Sequence, residues 1–311
     1  SFVTVYGAEL KKGEAVSVDP LTMAAQPDAS SAAAPASAAG GDMFTPLPAP
    51  ALPQTGKTYN IIVTGVGGTG IVTIGGVLGM AAHLEGKGIG IIDMAGLAQK
   101  GGAVYSHIRI AERPEDINAI RIGAGAADLV LGGDIVVVGN KKVLSAVKTN
   151  ATRMIVNTAE ILPGDFTRNA DFSLPGERLK RAITGAAGAA QVDFIDATQV
   201  ATALTGNSIA TNIFMLGYAF QRGAVPLGAE SIEEAIALNG EAVAMNTAAF
   251  RWGRRAAVDA EAVAALLRPA SKETDTTDSR HISASPAEAI ERRAAFLTAY
   301  QSRRYARRYL Q

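Results

Sequence analysis

The hydrophobic and polar positions of residues 59–258 alternate between short β-branched runs and longer segments with a helical period. A continuous β-branched run is typical of a parallel strand that is buried on both faces. Strands of this kind, separated by helices of about ten or more residues, predict right-handed crossovers and a mostly parallel sheet. The expected fold is therefore α/β, a three-layer Rossmann-like domain with helices on both faces of the sheet.

The same pattern predicts where the individual elements lie. Strands are predicted at residues 59–64, 88–93, 103–110, 134–138, 153–157 and 192–195. Helices are predicted at residues 71–84, 141–148, 177–184, 198–205, 208–221 and 231–239. The helix at 71–84 is apolar around most of its circumference, which predicts that it is enclosed between other layers.

The N-terminal part of the chain differs from this folded body. Short β-like runs in residues 1–19 predict a hairpin. The chain begins with Ser1 and not with Met, so we expect a piece of a longer protein and a hairpin that continues from a preceding domain. Residues 20–57 are rich in Ala, Ser and Pro, a composition that predicts an extended linker.

The C-terminal part also changes in character. Residues 269–284 are polar and predict a flexible joint. Ser285, Pro286 and Glu288 then provide an N-cap, a proline in the first turn and an acidic residue three positions after the cap, a favourable start for a helix. We expect the C-terminal helix, within residues 285–311, to lead to and dock on a further domain.

Composition and charge exclude several classes of function. The chain has 29 Lys+Arg and 29 Asp+Glu, a balance that argues against nucleic-acid and membrane-surface binding. It has no apolar run long enough to cross a membrane, so we expect a cytoplasmic protein. It contains no cysteine, which excludes disulfides and any cysteine-ligated zinc or iron–sulfur cluster held by this chain alone. Its three scattered histidines predict no metal site.

A glycine-rich loop follows the first strand of the folded body. Gly65, Gly67 and Gly70 fit the pattern G-x-G-x-x-G between a strand and a helix, where amide groups at the helix N-terminus can approach a phosphate. Asp93 ends the next predicted strand, close to the spacing at which dinucleotide folds bind ribose. Two interpretations remain open: contact with a phosphate or cofactor, and glycines that only permit close packing of helix on strand.

A second glycine-rich loop, residues 94–102, is expected at the carboxyl edge of the sheet, where α/β folds bind ligands. A plain dinucleotide fold does not need such a loop, and the chain offers no obvious partner for hydride transfer. His107 stands on a predicted strand, and a structural role with satisfied hydrogen bonds is the favoured interpretation. Asn212 lies in an apolar helix, so we favour a bond from helix to loop over contact with substrate.

Several separated motifs share the order and residues of one enzyme family. They lie at residues 63–70, 84–87, 96–102, 106–110 and 208–212. Together they resemble the gamma portion of indolepyruvate ferredoxin oxidoreductase in its long, fused form, and they identify residues 58–268 as a gamma-type α/β domain. In that family the segment starting at Ser1 would follow a cluster-binding cysteine, which agrees with a piece of a longer chain.

The resemblance implies part of a thiamine diphosphate-dependent 2-oxoacid:ferredoxin oxidoreductase. Such enzymes decarboxylate aryl pyruvates such as indolepyruvate, pass electrons through iron–sulfur clusters to ferredoxin and release an acyl-CoA. Thiamine diphosphate with Mg²⁺, the iron–sulfur clusters and CoA as co-substrate carry this chemistry in the whole enzyme. The implied partners are the thiamine-binding and iron–sulfur domains and ferredoxin, within a homo-oligomer, and the isolated chain is expected to be inactive.

The resemblance also implies where ligands lie. The first loop would face a phosphate or the cleft of the active site and CoA through Gly65, Gly67, Gly68, Thr69 and Gly70. The neighbouring rim would be formed by Gln99, Lys100, Gly101 and Gly102. Lys100 would attract the phosphates of CoA. No catalytic residue or metal ligand is assigned. The alternatives are an NAD(P)-dependent dehydrogenase that uses the first loop and a non-catalytic scaffold domain.

Overall fold

The computed structural model describes residues 3–4, 47–95, 102–159, 176–267, 283 and 285–310. The chain divides into two units, Ser1–Leu267 and Arg268–Gln311. Apart from Val3–Thr4, which forms a strand, the predicted hairpin lies outside the described residues. Most of the predicted linker and of the predicted joint also lies outside them.

One mixed sheet forms the centre of the first unit. Its described strands are β1 Val3–Thr4, β2 Tyr59–Val66, β3 Gly88–Ala95, β4 Ala103–Ala111, β5 Leu129–Gly132, β6 Arg153–Asn157 and β7 Val192–Ile195. Their order is β1-β3-β4-β2-β5-β6-β7. Strands β2, β5, β6 and β7 pair in parallel, whereas β4 is antiparallel to both β2 and β3. The strand β3 therefore runs in the direction of β2, and the predicted mostly parallel α/β sheet is confirmed among the described strands.

Helices cover both faces of this sheet. They are α1 Ile71–Leu84, α2 Ile135–Val138, α3 Lys141–Leu144, α4 Gly176–Ala187, α5 Ala197–Thr205, α6 Thr211–Gln221, α7 Ala229–Asn239, α8 Val243–Val258 and α9 Ala260–Leu267. The buried side chains form two clusters. One joins Ile61 and Val63 of β2 to α1 and to α5–α9. The other joins Ile62 to α2, α3 and α4. Alternate residues of β2 thus supply the two cores, as expected for a sheet between two helical layers.

The helix α1 has the predicted bounds but is not enclosed on all sides. Ile74 and Leu78 are buried in the first cluster. Val72, Met80 and Leu84 are 52%, 37% and 39% exposed. The predicted enclosure of α1 between other layers therefore holds on the sides that contact the sheet and α7, and this apolar stripe lies outside it.

Residues 134–138 form a helix and not the predicted strand. Asp134 is the N-cap of α2, and its Oδ1 accepts a hydrogen bond from the Val137 amide at 2.9 Å. The buried strand lies earlier, at Leu129–Gly132. A short apolar run fits a buried strand and a buried helix equally well, and here the capping aspartate selects the helix.

The second unit contains two described helices, α10 Pro286–Tyr300 and α11 Arg303–Leu310. Ser285 caps α10 as predicted, because its Oγ accepts a hydrogen bond from the Glu288 amide at 3.2 Å. The prediction of one C-terminal helix is wrong, since the helical conformation is interrupted after Tyr300.

Candidate functional site

The carboxyl ends of β2, β5 and β6 meet at one edge of the sheet, as parallel strands require. The first glycine-rich loop leaves β2 at this edge, and Gly133 follows β5 beside it. The Gly133 amide donates a hydrogen bond to the Thr64 carbonyl oxygen at 2.7 Å. This edge is where open α/β sheets bind their ligands.

The two glycine-rich loops contact each other at this edge. The Gly67 amide donates a hydrogen bond to the Gly102 carbonyl oxygen at 2.7 Å. The contact follows from the register of the strands, because Val66 pairs with Ala103 across β2 and β4. The structure therefore places Gly102 beside the first loop. Gln99, Lys100 and Gly101 lie outside the described residues.

The first loop leads directly into α1 without a side-chain cap. Gly70 is the N-cap residue, with φ of 83°, and no side chain of the described residues accepts a hydrogen bond from the first turn. Thr69 does not cap the helix, because its hydroxyl donates to the Val66 carbonyl oxygen at 2.7 Å. The first amides of an α-helix have no partner one turn earlier and carry the positive end of the helix dipole. The N-terminus of α1 is therefore suited to a phosphate or a carboxylate.

The glycines of this loop meet different requirements. A Cβ atom on Gly65 would lie 2.6 Å from Cδ1 of Ile71, so packing of strand on helix favours glycine there. A Cβ atom on Gly67 would lie 3.2 Å from the Gly102 carbonyl oxygen. Gly68 has φ of 88°, and no heavy atom of the described chain lies within 4 Å of its added Cβ. Packing therefore explains Gly65 but does not explain Gly68.

Asn212 holds the loop from the opposite side. It lies on α6, is 5% exposed, and its Nδ2 donates a hydrogen bond to the Thr69 carbonyl oxygen at 2.5 Å. A buried amide needs such a partner, and the predicted bond from helix to loop is confirmed. Asn212 therefore fixes the loop just before α1 begins.

Sequence reasoning missed two buried polar residues at the same edge, Asp134 and Asn157. Nδ2 of Asn157 donates to the Gly133 carbonyl oxygen at 3.1 Å and to Oγ1 of Thr198 at 2.8 Å. Burial raises the pKa of the Asp134 carboxyl, although backbone amides at the start of α2 donate to it. The signal that could have found both residues is a polar side chain at the end of a buried apolar run or just beyond it.

Asp93 does not occupy the position that a dinucleotide site requires. Its Oδ1 accepts a hydrogen bond from the Ser106 hydroxyl. Strand β4 lies between β2 and β3, so Asp93 is two strands, or about 10 Å, from the strand that carries the first loop. In a dinucleotide fold the acidic residue ends the strand next to the glycine-rich turn. The geometry therefore disfavours the NAD(P) alternative.

His107 has the structural contact that the sequence favoured. It is 8% exposed, and its Nδ1 accepts a hydrogen bond from the Ile122 amide at 2.9 Å. Burial lowers the pKa of His107, and the positive charges of Arg121, Arg109 and Lys142 lower it further. The imidazole is therefore neutral near pH 7.

Within the described ranges, no three His, Cys, Asp or Glu side chains come together as a group that could hold a metal ion. In the same part of the chain, no helix has the length and apolar character needed to cross a bilayer.

Comparison with known proteins decides the family. Residues 60–256 match the family described as pyruvate ferredoxin/flavodoxin oxidoreductase. The chain belongs to this family. It is 30% identical over 203 residues to indolepyruvate oxidoreductase subunit IorB of Pyrococcus horikoshii, covering 65% of this chain and 96% of that subunit. It is also 30% identical over 208 residues to subunit IorB of Methanothermobacter thermautotrophicus, covering 65% and 98%. The resemblance drawn from the motifs is thus confirmed.

Two solved structures align with about two thirds of this chain. Pyruvate oxidoreductase subunit PORC of Thermotoga maritima superimposes with a TM-score of 0.46 at 19% identity, over 64% of this chain and 96% of that one. A 2-oxoglutarate:ferredoxin oxidoreductase from Magnetococcus marinus, with 2-oxoglutarate, coenzyme A and succinyl-CoA bound, gives 0.47 at 18% identity, over 65% and 31%.

Proposed function

We propose that this chain is the gamma-type portion of a thiamine diphosphate-dependent 2-oxoacid:ferredoxin oxidoreductase that converts aryl pyruvates such as indolepyruvate to acyl-CoA. Its family and the indolepyruvate oxidoreductase subunits that it resembles support this assignment. The thiamine-binding and iron–sulfur domains are its partners within a cytoplasmic homo-oligomer, and ferredoxin accepts the electrons. The gamma-type portion lines one side of the cleft that receives CoA.

One arrangement carries the proposal for this role. The Gly67–Gly102 hydrogen bond joins the two glycine-rich loops, and Asn212 holds Thr69 from behind. Both contacts leave the start of α1 uncapped at the ligand-binding edge of the sheet. The amides of this first turn are suited to the phosphate oxygens of CoA, and the Lys100 side chain on the second loop would add a positive charge.

The described residues fit the phosphates of CoA but not the other cofactors. A Mg²⁺ ion bridging a diphosphate needs several oxygen ligands, and no group of three acidic or metal-binding side chains exists in the described part. The chain also has no cysteine for a cluster. Thiamine diphosphate, when bound by the partner domains, supplies the carbanion on which a 2-oxoacid is decarboxylated. This chain contributes binding and orientation of CoA and one wall that excludes water.

The first glycine-rich loop is already held in place without a ligand, which favours a role in binding CoA. A loop that must order itself on binding loses part of the interaction energy to that ordering. Here three hydrogen bonds already define the backbone, from Gly67 to Gly102, from Thr69 to Val66 and from Asn212 to Thr69. The amide donors are therefore preorganised, and the thiol of a bound CoA would be held in a constant position relative to the cleft.

The proposal is tested in the assembled enzyme with Gly68→Ala and a matched control, Gly86→Ala. Both glycines have positive φ, 88° and 70°, and no described heavy atom lies within 4 Å of an added Cβ at either position. The backbone strain introduced is therefore similar, but Gly86 follows the opposite end of α1. We expect Gly68→Ala to raise the KM for CoA by about 10-fold, the equivalent of one charge-assisted hydrogen bond.

Gly86→Ala should leave the KM for CoA unchanged, and neither variant should change the concentration of thiamine diphosphate needed for activity. An equal loss of stability in both variants, with no change in the KM for CoA, would instead support the scaffold alternative. Titration of the full chain with NAD checks the dehydrogenase alternative, and tight binding of NAD would contradict the proposal.

A further inference from the structure

A cavity of about 280 Å³ lies on the face of the sheet opposite α1. Ile62, Tyr105 and His107 reach it from β2 and β4, and Lys142 reaches it from α3. Ile62 belongs to the second hydrophobic cluster, whereas its neighbours in β2 belong to the cluster that contains α1. The sheet therefore separates this cavity from α1, and the proposed function uses none of its lining side chains.

His107 presents a hydrogen-bond donor for which the described residues supply no acceptor. Its Nδ1 accepts from the Ile122 amide, so the neutral ring carries its proton on Nε2. The side chain is 8% exposed and lines the cavity. Within the described residues His107 makes no other hydrogen bond. The Nε2 donor is therefore available to a ligand or to water in the cavity.

The surroundings of this donor are positively charged. Arg121 and Lys142 line the cavity, and Arg109 lies two residues beyond His107 on the same face of β4. Among the described residues, none of these three cations forms an ion pair with a carboxylate. Lys142 Nζ lies 5.5 Å from the ring centroid of Tyr105. Burial raises the pKa of Tyr105, so its phenol keeps its proton and is a further donor.

We propose that this cavity binds a phosphoryl group. A phosphoryl dianion matches the charges of Arg121 and Lys142, and its oxygens can accept hydrogen bonds from Nε2 of His107 and from the Tyr105 hydroxyl. These side chains come from β4, from α3 and from the segment that contains Arg121. A phosphoryl group has more acceptor oxygens and a higher charge than a carboxylate, so it can use more of these donors. The phosphoryl group is either inorganic phosphate or part of a small molecule such as CoA.

The test follows the histidine side chains of the full chain by nuclear magnetic resonance while inorganic phosphate is added at constant ionic strength and pH. The signals of His107 should shift and saturate, while those of His83, which is exposed on α1, should not. We expect Arg121→Gln and Lys142→Gln each to weaken binding by about 10-fold, since each removes a charge-assisted contact. Both side chains belong to exposed residues, so neither substitution should prevent folding.

Lys141→Gln is the matched control. Lys141 is the neighbouring residue on α3 and is exposed, but it is absent from the cavity lining. Its substitution should change the affinity by less than about 2-fold, because an exposed charge that does not contact the ligand is screened by salt. His107→Asn, which keeps an acceptor for Ile122 and removes the Nε2 donor, should also weaken phosphate binding when measured by calorimetry.

A second titration, with CoA in place of phosphate, distinguishes the two sources of the phosphoryl group. Saturation of the His107 shift at lower concentrations of CoA than of phosphate would assign the site to a phosphoryl group of CoA. Saturation by phosphate alone would assign it to free phosphate. The inference is overturned if His107 responds to neither, or if Lys141→Gln weakens binding as much as Lys142→Gln. A negative result for this cavity would not contradict the proposed role of the glycine-rich loops, because that role is tested by the KM for CoA of Gly68→Ala.

Discussion

Asn212 donates a hydrogen bond from its Nδ2 to the carbonyl oxygen of Thr69 across 143 residues of sequence. The bond connects a buried position on α6 to the last turn of the loop before α1. It is the contact through which the helical layer determines the shape of the glycine-rich loop. Oδ1 of the same side chain lies beside Gly133, where an added Cβ would approach it to 3.4 Å.

We predict that Asn212→Ala lowers the free energy of unfolding by about 1–2 kcal/mol, because it leaves the Thr69 carbonyl oxygen without its partner. It should also raise the KM for CoA in the assembled enzyme, since the loop is no longer held. The measurements are denaturant unfolding of the chain and steady-state kinetics of the enzyme.

Asn246→Ala serves as the control for that experiment. Asn246 is also buried in a helix, and its Nδ2 donates to a backbone carbonyl oxygen, that of Glu241, at 2.9 Å. Its substitution should cost a similar free energy of unfolding without a change in the KM for CoA. Equal kinetic effects of the two substitutions would show that Asn212 acts only through stability.

The sequence was sufficient for features that depend on neighbouring residues. The bounds of α1, the cap of α10 by Ser285 and the strand at residues 153–157 follow from local periodicity and capping. The family also follows from the motifs. The need of Asn212 for a partner could be predicted from its apolar helix, but the identity of that partner, Thr69, depends on how α6 packs.

Other features depend on contacts between distant segments and could not be predicted. Strand β4 lies between β2 and β3, which places Asp93 away from the first loop. The alternating pattern of β4 does not indicate which strands pair with it. The sequence pattern predicts a strand at Asp134 because four apolar residues follow it. The positively charged cavity was missed because Arg121 and Lys142 are separated from His107 along the chain.

Helices α6 and α8 approach each other through two glycines. A Cβ atom on Gly217 would overlap the Phe250 carbonyl oxygen, and one on Gly253 would overlap that of Phe214. We predict that Gly217→Ala lowers the free energy of unfolding by about 3 kcal/mol or more, because the two helix backbones must separate. Thermal or denaturant unfolding measures this effect.

Gly185→Ala is the matched substitution, since Gly185 is exposed in the interior of α4 and no described atom lies within 4 Å of an added Cβ. There alanine should raise the stability by about 0.5–1 kcal/mol, the usual gain from replacing an exposed helical glycine. If Gly217→Ala were equally stabilising, the close approach of α6 and α8 would be wrong.

Glu85 connects the end of α1 to the start of α7. Its Oε1 accepts hydrogen bonds from the Gly228 amide at 2.6 Å and from the Ser231 hydroxyl at 2.5 Å, and its Oε2 lies 2.9 Å from Lys87 Nζ. Burial alone would raise the pKa of Glu85, but the contacts with Ser231, Gly228 and Lys87 outweigh it and lower the pKa. A carboxyl whose pKa is lowered on folding stabilises the native state only when it is ionised.

We therefore predict that Glu85→Gln costs about 1–2 kcal/mol of unfolding free energy at pH 7. This difference from the unchanged chain should remain while the pH stays above the unfolded-state pKa of about 4.3 and shrink as the pH falls below it, where protonation of Glu85 removes the same contacts. Denaturant unfolding of both proteins between pH 7 and pH 3 measures the difference. Glu177→Gln, at an exposed pair with Lys180, should change the stability by less than about 0.5 kcal/mol at every pH. A Glu85→Gln cost that did not depend on pH would show that its ionisation does not stabilise the junction of α1 and α7.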